Sequence, residues 1–130
     1  MTDKPIHHPF RLSHAQADIA AEYAHRLARR LSAYPSVTAT VFRSPQGPPE
    51  VSVRVQITSG KVLVGLRVHV WPRHDNGDLS WYRERRARGC VRTYFQYVRL
   101  LAEAELDPLA ADLVGSLQRR AAATAAGAQS

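Results

Sequence analysis

Ile19, Tyr23, Leu27 and Leu31 recur every four residues, with Asp18, Glu22, His25 and Arg29 on the opposite side, which is the stripe of an amphipathic helix. Ser13 with Gln16 three residues later forms a capping-box signature. Pro35 closes the pattern. A helix is therefore expected over residues 14–33.

The period then changes from four to two. In "SVTATVFR" Val37, Ala39 and Val41 share one face, and the proline-rich "SPQGPPE" reads as a loop. "VSVRVQI" places Val51, Val53, Val55 and Ile57 together; "VLVGLRVHVW" places Val62, Val64, Leu66, Val68 and Val70 together, with Leu63, Gly65, Arg67, His69 and Trp71 behind them. Strict alternation marks half-buried strands. The short "TSGK" between these two runs predicts an antiparallel hairpin, with Gly60 free to take a positive φ.

"PRHDNGD" breaks the third strand. Beyond it Ala87, Val91, Tyr94, Phe95, Val98, Leu101 and Ala102 follow at spacings of three and four, which predicts a second long helix capped by Asp78 or Ser80. Gly89 in its middle costs about 1 kcal/mol relative to alanine. A last helix opens at Asp107 and Pro108 and carries Leu109, Leu113 and Leu117 in register. Residues 1–12 read as an N-terminal arm, 13–120 as one domain and 121–130 as a flexible Ala-rich tail. The expected fold is α+β: a two-layer sandwich of order α-β-β-β-α-α, with a three-stranded antiparallel sheet and the helices packed on one face. Up to its second helix, this order is similar to that of double-stranded-RNA-binding domains and of small bacterial nucleoid-associated proteins. The likeness is one of topology and carries none of their motifs.

The chain has 130 residues, enough for a core without metal or disulfide support. Cys90 is the only cysteine, so no intramolecular disulfide forms, in keeping with a reducing compartment. No apolar run approaches the ~18 residues of a membrane span. The N-terminus lacks the apolar stretch of a signal peptide. A cytoplasmic location without a membrane partner is expected.

Charge sharpens the picture. The formal net charge is +7, and 18 residues are Lys or Arg against 11 Asp or Glu. Such an excess favours polyanionic partners through counterion release. Almost all of the basic residues are arginine, a usage that a GC-rich coding sequence also produces, so their placement decides more than their number. "WYRERRARGCVRTYFQYVR" (81–99) holds six arginines and one glutamate. On a helix, Arg88, Arg99, Arg92 and Arg85 fall at about 100°, 120°, 140° and 160° from Ala87, in one row along a flank. Arginine forks in a row suit a phosphate backbone. An ordinary solvated helix face is the alternative.

The open sheet face offers a second surface. Arg54 and Arg67 extend the basic set. Phe42, Leu63, His69 and Trp71 form a candidate dimer or partner interface, with Trp71 also a candidate for stacking on bases. His69, His74 and Asp75 make a weak metal set, Cys90 reads as a buried thiol, and no phosphate loop, HExxH or nucleophile elbow is present. The sequence thus points to a small, basic, non-enzymatic nucleic-acid-binding protein, DNA or RNA, acting as a homodimer and needing no cofactor. The alternative is a protein–protein adaptor that binds a partner chain on the open sheet face.

Overall fold

The computed structural model describes residues 11–86 and 93–128 of the chain. Ser13 caps the first helix, α1 (His14–Ser32). Its hydroxyl accepts from the Gln16 amide at 3.1 Å, and Gln16 Oε1 accepts from the Ser13 amide at 2.9 Å. Asp18, Glu22, His25 and Arg29 face solvent as their pattern requires. The buried stripe, however, is Ala17, Ala20, Ala24, Leu27 and Leu31, while Ile19 is 49% exposed. Alanine has no side chain to hold α1 away from the sheet, so the helix packs along its small residues and leaves larger ones on the shoulder.

The strands β1 (Val37–Arg43), β2 (Val51–Ser59) and β3 (Val62–Pro72) form where alternation places them. Val37 lies opposite Ile57, Ala39 opposite Val55 and Val41 opposite Val53; Val53, Val55 and Ile57 in turn face Val68, Leu66 and Val64. Gly60 makes the β2–β3 turn at φ +62°, a conformation that side chains disfavour.

The second long helix is not there. Residues expected to form it make two further strands, β4 (Leu79–Arg86) and β5 (Thr93–Leu100), and the sheet is a five-stranded antiparallel meander of order β1-β2-β3-β4-β5. The element order is therefore α, five strands, α, within the expected α+β class, and the likeness to three-stranded topologies lapses. The physical reason is the free edge of β3. The C-terminal half of β3 is the buried part, and its backbone groups need ladder partners on both sides; β4 supplies them there, with Val70 opposite Trp81 and Trp71 opposite Ser80. Trp81, Val68 and Val70 are all fully buried. A β-bulge at Trp81/Tyr82 brings Arg99 opposite Trp81 and Tyr97 opposite Tyr82, skipping Val98.

A 3-10 turn (Glu103–Glu105) leads into α2 (Leu106–Ala128). Leu109, Leu113 and Leu117 are buried as expected, together with Leu106, Ala110, Val114 and Ala121. The helix runs on through 121–128, residues expected as a flexible tail. Leu12, assigned to the arm, is 2% exposed and belongs to the core. Both helices cover the same sheet face, and the core lies between them and β1–β4. No helix among the described residues is long and apolar enough to cross a membrane.

Ion pairs tie α1 to α2. Arg26 donates to Glu103 at 2.9 Å, while Arg30 holds both Glu103 and, at 2.8 Å, Asp107. The Arg30 hydrogen bond leads the effects that hold the Glu103 carboxyl below its usual value, and Arg26 adds to it. Because the unfolded chain then binds more protons in acid, this contribution is present above the unfolded value of 4.5 and is lost as pH falls through the folded one. Glu103→Gln is expected to lower the melting temperature at about pH 7, the gap to wild type narrowing as pH falls below 4.5; a gap that stays constant into acid contradicts the pairing. Trp81→Ala removes the largest fully buried side chain and is expected to cost about 3–5 kcal/mol in chemical denaturation. A loss below about 1 kcal/mol, the range of surface changes, contradicts a core position for Trp81 on β4.

Candidate anion-binding cleft

Without the helix, the arginine row is dissolved. Arg88 and Arg92 lie outside the described residues. Arg99 points towards α2 and is neutralised there, donating to Glu105 Oε1 and Asp112 Oδ2, each at 2.7 Å. Asp112 and then Glu105 raise its pKa. Arg85 sits on β4 and donates to Gln96 Oε1 at 3.2 Å. Of the row, Arg85 and Arg99 are the described members, and they engage different partners.

The open sheet face does carry Phe42, Arg54, Leu63, Arg67, His69 and Trp71, as alternation places them. Its aromatic rings, however, pack on one another. Trp71 is only 6% exposed; it stacks on His69 at 4.6 Å and meets the edge of Phe95 at 4.5 Å. Tyr82 lies 5.7 Å from Trp71 and 6.0 Å from Tyr97. Burial lowers the His69 pKa against the pull of Glu84, so the ring is neutral near pH 7 and its Nε2 hydrogen bonds Glu84 Oε1 at 3.0 Å. Phe42 and Leu63 are exposed, but they pair with Ser52 and Thr58, six positions or roughly 20 Å apart along β2. The four interface candidates therefore make no single patch.

The proposed metal set fares no better. Asp75 takes a two-pronged bond from Arg73 at 2.9 and 2.8 Å, and that guanidinium leads the effects that bring its carboxyl to about 2. Arg73 also lies 4.4 Å over the Tyr97 ring. No group of three or more metal-ligating side chains occurs among the described residues.

What the structure assembles instead is a cleft at one end of the sheet. Pairing between β3 and β4 runs from Pro72↔Leu79 to Val68↔Arg83 and stops there. Yet β3 begins at Val62 and β4 continues to Arg86. The strands diverge, and a cavity of about 880 Å³ opens between them. Gly65, Leu66 and Arg67 form one wall and Arg83, Glu84 and Arg85 the other; Ser116, Arg119, Arg120 and Ala123 of α2 close it. Adjacent residues on a strand point to opposite faces, so a lining drawn from consecutive residues on both strands opens to both faces.

Five arginines thus face one space with a single carboxylate, Glu84, which His69 already engages. None of the five forms a salt bridge among the described residues. Neutral oxygens orient three of them: Arg83 donates to Ser116 Oγ at 2.7 Å, Arg85 to Gln96, and Arg120 to the Gly65 carbonyl at 2.8 Å. Such bonds fix a guanidinium without cancelling its charge. Burial, followed by repulsion from Arg85, Arg120 and Arg119, lowers the Arg83 pKa. Arg54 lies directly opposite Arg67, a like-charge pair that opposes pairing, and a shallower hollow lined by both continues the cleft onto the open face.

An array of guanidinium forks without carboxylate partners can grip an anion by charge and by paired hydrogen bonds. Arg54, Arg67 and Arg85 were legible as basic candidates; Arg83, Arg119 and Arg120 were not. A signal existed: Arg83 and Arg85 have the i,i+2 spacing of one strand face, and Arg119–Arg120 is the only basic pair in the acidic C-terminal third. Compared with known protein families, curated proteins and solved structures, the chain shows no match to any of them.

Proposed function

We propose that the protein binds nucleic acid through its phosphates at the β3–β4 cleft, as a binding protein rather than an enzyme. The observation that carries this reading is the convergence of Arg67, Arg83, Arg85, Arg119 and Arg120 on one cavity, five cations against the single carboxylate of Glu84, with no salt bridge to any of the five among the described residues. Like charges this close repel, as the Arg83 shift records; a polyanion turns that repulsion into attraction and releases counterions on binding. The overall charge of +7 steers such a partner inward. Among the described residues Glu84 is the one carboxylate lining the cleft, and it hydrogen bonds His69. A cytoplasmic location goes with this reading and suits a chain whose one cysteine has no partner.

The test is the salt dependence of binding to labelled oligonucleotides, measured by fluorescence anisotropy. Arg119 and Arg120 are exposed on α2, so Arg119→Ala/Arg120→Ala leaves the core intact. The double variant is expected to bind more weakly and to flatten the log–log salt slope by about two, one per lost phosphate contact. Arg29→Ala removes a single charge from an exposed site on α1, away from the cleft, and is expected to change neither. Wild-type binding that is absent or insensitive to salt contradicts the proposal, as does a double variant indistinguishable from Arg29→Ala.

A further inference from the structure

The shape of the cleft selects among nucleic acids. Arg83 stands at its vertex, since Val68↔Arg83 is the last pair before the strands part, and its guanidinium is drawn inward to the buried Ser116 hydroxyl. Arg85, Arg119 and Arg120 are exposed at the rim. A duplex carries its phosphates on the outside of a stiff rod, with a persistence length of about 50 nm, and can touch the rim without reaching the vertex. A single strand bends freely and can place a phosphate there.

A second hollow adjoins the cleft on the open face of the sheet. The main cavity and the hollow on the open face share Gly65, Leu66, Arg67 and Glu84. At their junction Gly65 presents no side chain; a Cβ there would come within 3.1 Å of the Val55 carbonyl and 3.2 Å of Gln56 Cγ. Among the described residues no aromatic ring lines either space, which favours contact with the backbone over base stacking. The volume of about 880 Å³ lies within the roughly 300–1,000 Å³ of small-ligand sites and suits a short run of nucleotides.

We infer that the cleft is a single-strand site: the backbone of single-stranded DNA or RNA enters between β3 and β4 and follows Arg119, Arg120 and Arg83 through to Arg67 and Arg54 on the open face. This rests on the nucleic-acid reading above and narrows it.

The experiment compares the full chain binding a short single strand, the duplex of the same sequence, and tripolyphosphate as competitor, with wild type and Ala123→Leu. Ala123 lines the cleft from an exposed position on α2; leucine is also a good helix former and narrows the cleft without altering charge. The single strand is expected to bind about tenfold or more tightly than the duplex, and Ala123→Leu to weaken the single strand several-fold while sparing the duplex. Duplex binding as tight as single-strand binding overturns this inference and leaves the nucleic-acid reading standing. So does unchanged single-strand affinity in Ala123→Leu. Tripolyphosphate matching the single strand in affinity overturns it in favour of a compact anion. Failure of both nucleic acids to bind removes the broader reading with it.

Discussion

One asymmetry of the central strand governs this molecule: β3 pairs with β2 from Ser59↔Val62 to Ser52↔His69, but with β4 only from Pro72↔Leu79 to Val68↔Arg83. Full pairing on both edges would close the sheet and leave no room between the strands. Partial pairing leaves backbone groups along the first half of β3 without strand partners on that edge. Arg120 donates to the Gly65 carbonyl there, so one side chain both satisfies the opened edge and brings positive charge to it. The unusual length of α2, which runs to Ala128, is what carries Arg119 and Arg120 to that end of the sheet.

The arginines divide by what they touch. Arg26, Arg30, Arg43, Arg73 and Arg99 each meet a carboxylate; Arg26, Arg30, Arg43 and Arg99 join different elements, while Arg73 holds Asp75 within the β3–β4 turn. The cleft arginines meet neutral oxygens or none. Composition alone could not separate an arginine selected for charge from one that reflects codon usage. Among the described residues, five arginines without a salt bridge gather where the sheet opens. The aromatic residues divide similarly. Trp71, His69, Phe95 and Tyr82 pack against one another, so the face that looked like a stacking platform is a packed aromatic layer, and the free cations lie beside it.

Much of this was legible in the sequence. The Ser13 cap, the β1–β3 alternation, the turn at Gly60 and the leucine register of α2 are local signals, and local physics decided them. Two features were not. Three of the five buried positions of α1, Ala17, Ala20 and Ala24, are alanine, and a count of large apolar residues passes over them. The stretch 79–100 satisfies two periods at once: its apolar residues fall at helical spacing, while Trp81, Tyr82, Tyr94, Phe95, Tyr97 and Val98 are strand formers. What settles the choice is the unpaired edge of β3, a tertiary demand that no window of the sequence contains. The cleft was hidden for the same reason, because Arg67, Arg83 and Arg120 meet only once β4 is known to be a strand that parts from β3.

The most direct measurement is the set of arginine Nε–Hε resonances of the isotopically labelled protein during titration with a single-stranded oligonucleotide. The account predicts that Arg67, Arg83, Arg85, Arg119 and Arg120 shift together along one saturable curve, while the carboxylate-paired Arg26, Arg30, Arg43 and Arg99 stay in place. Shifts spread evenly over all arginines, or confined to the paired set, would contradict it.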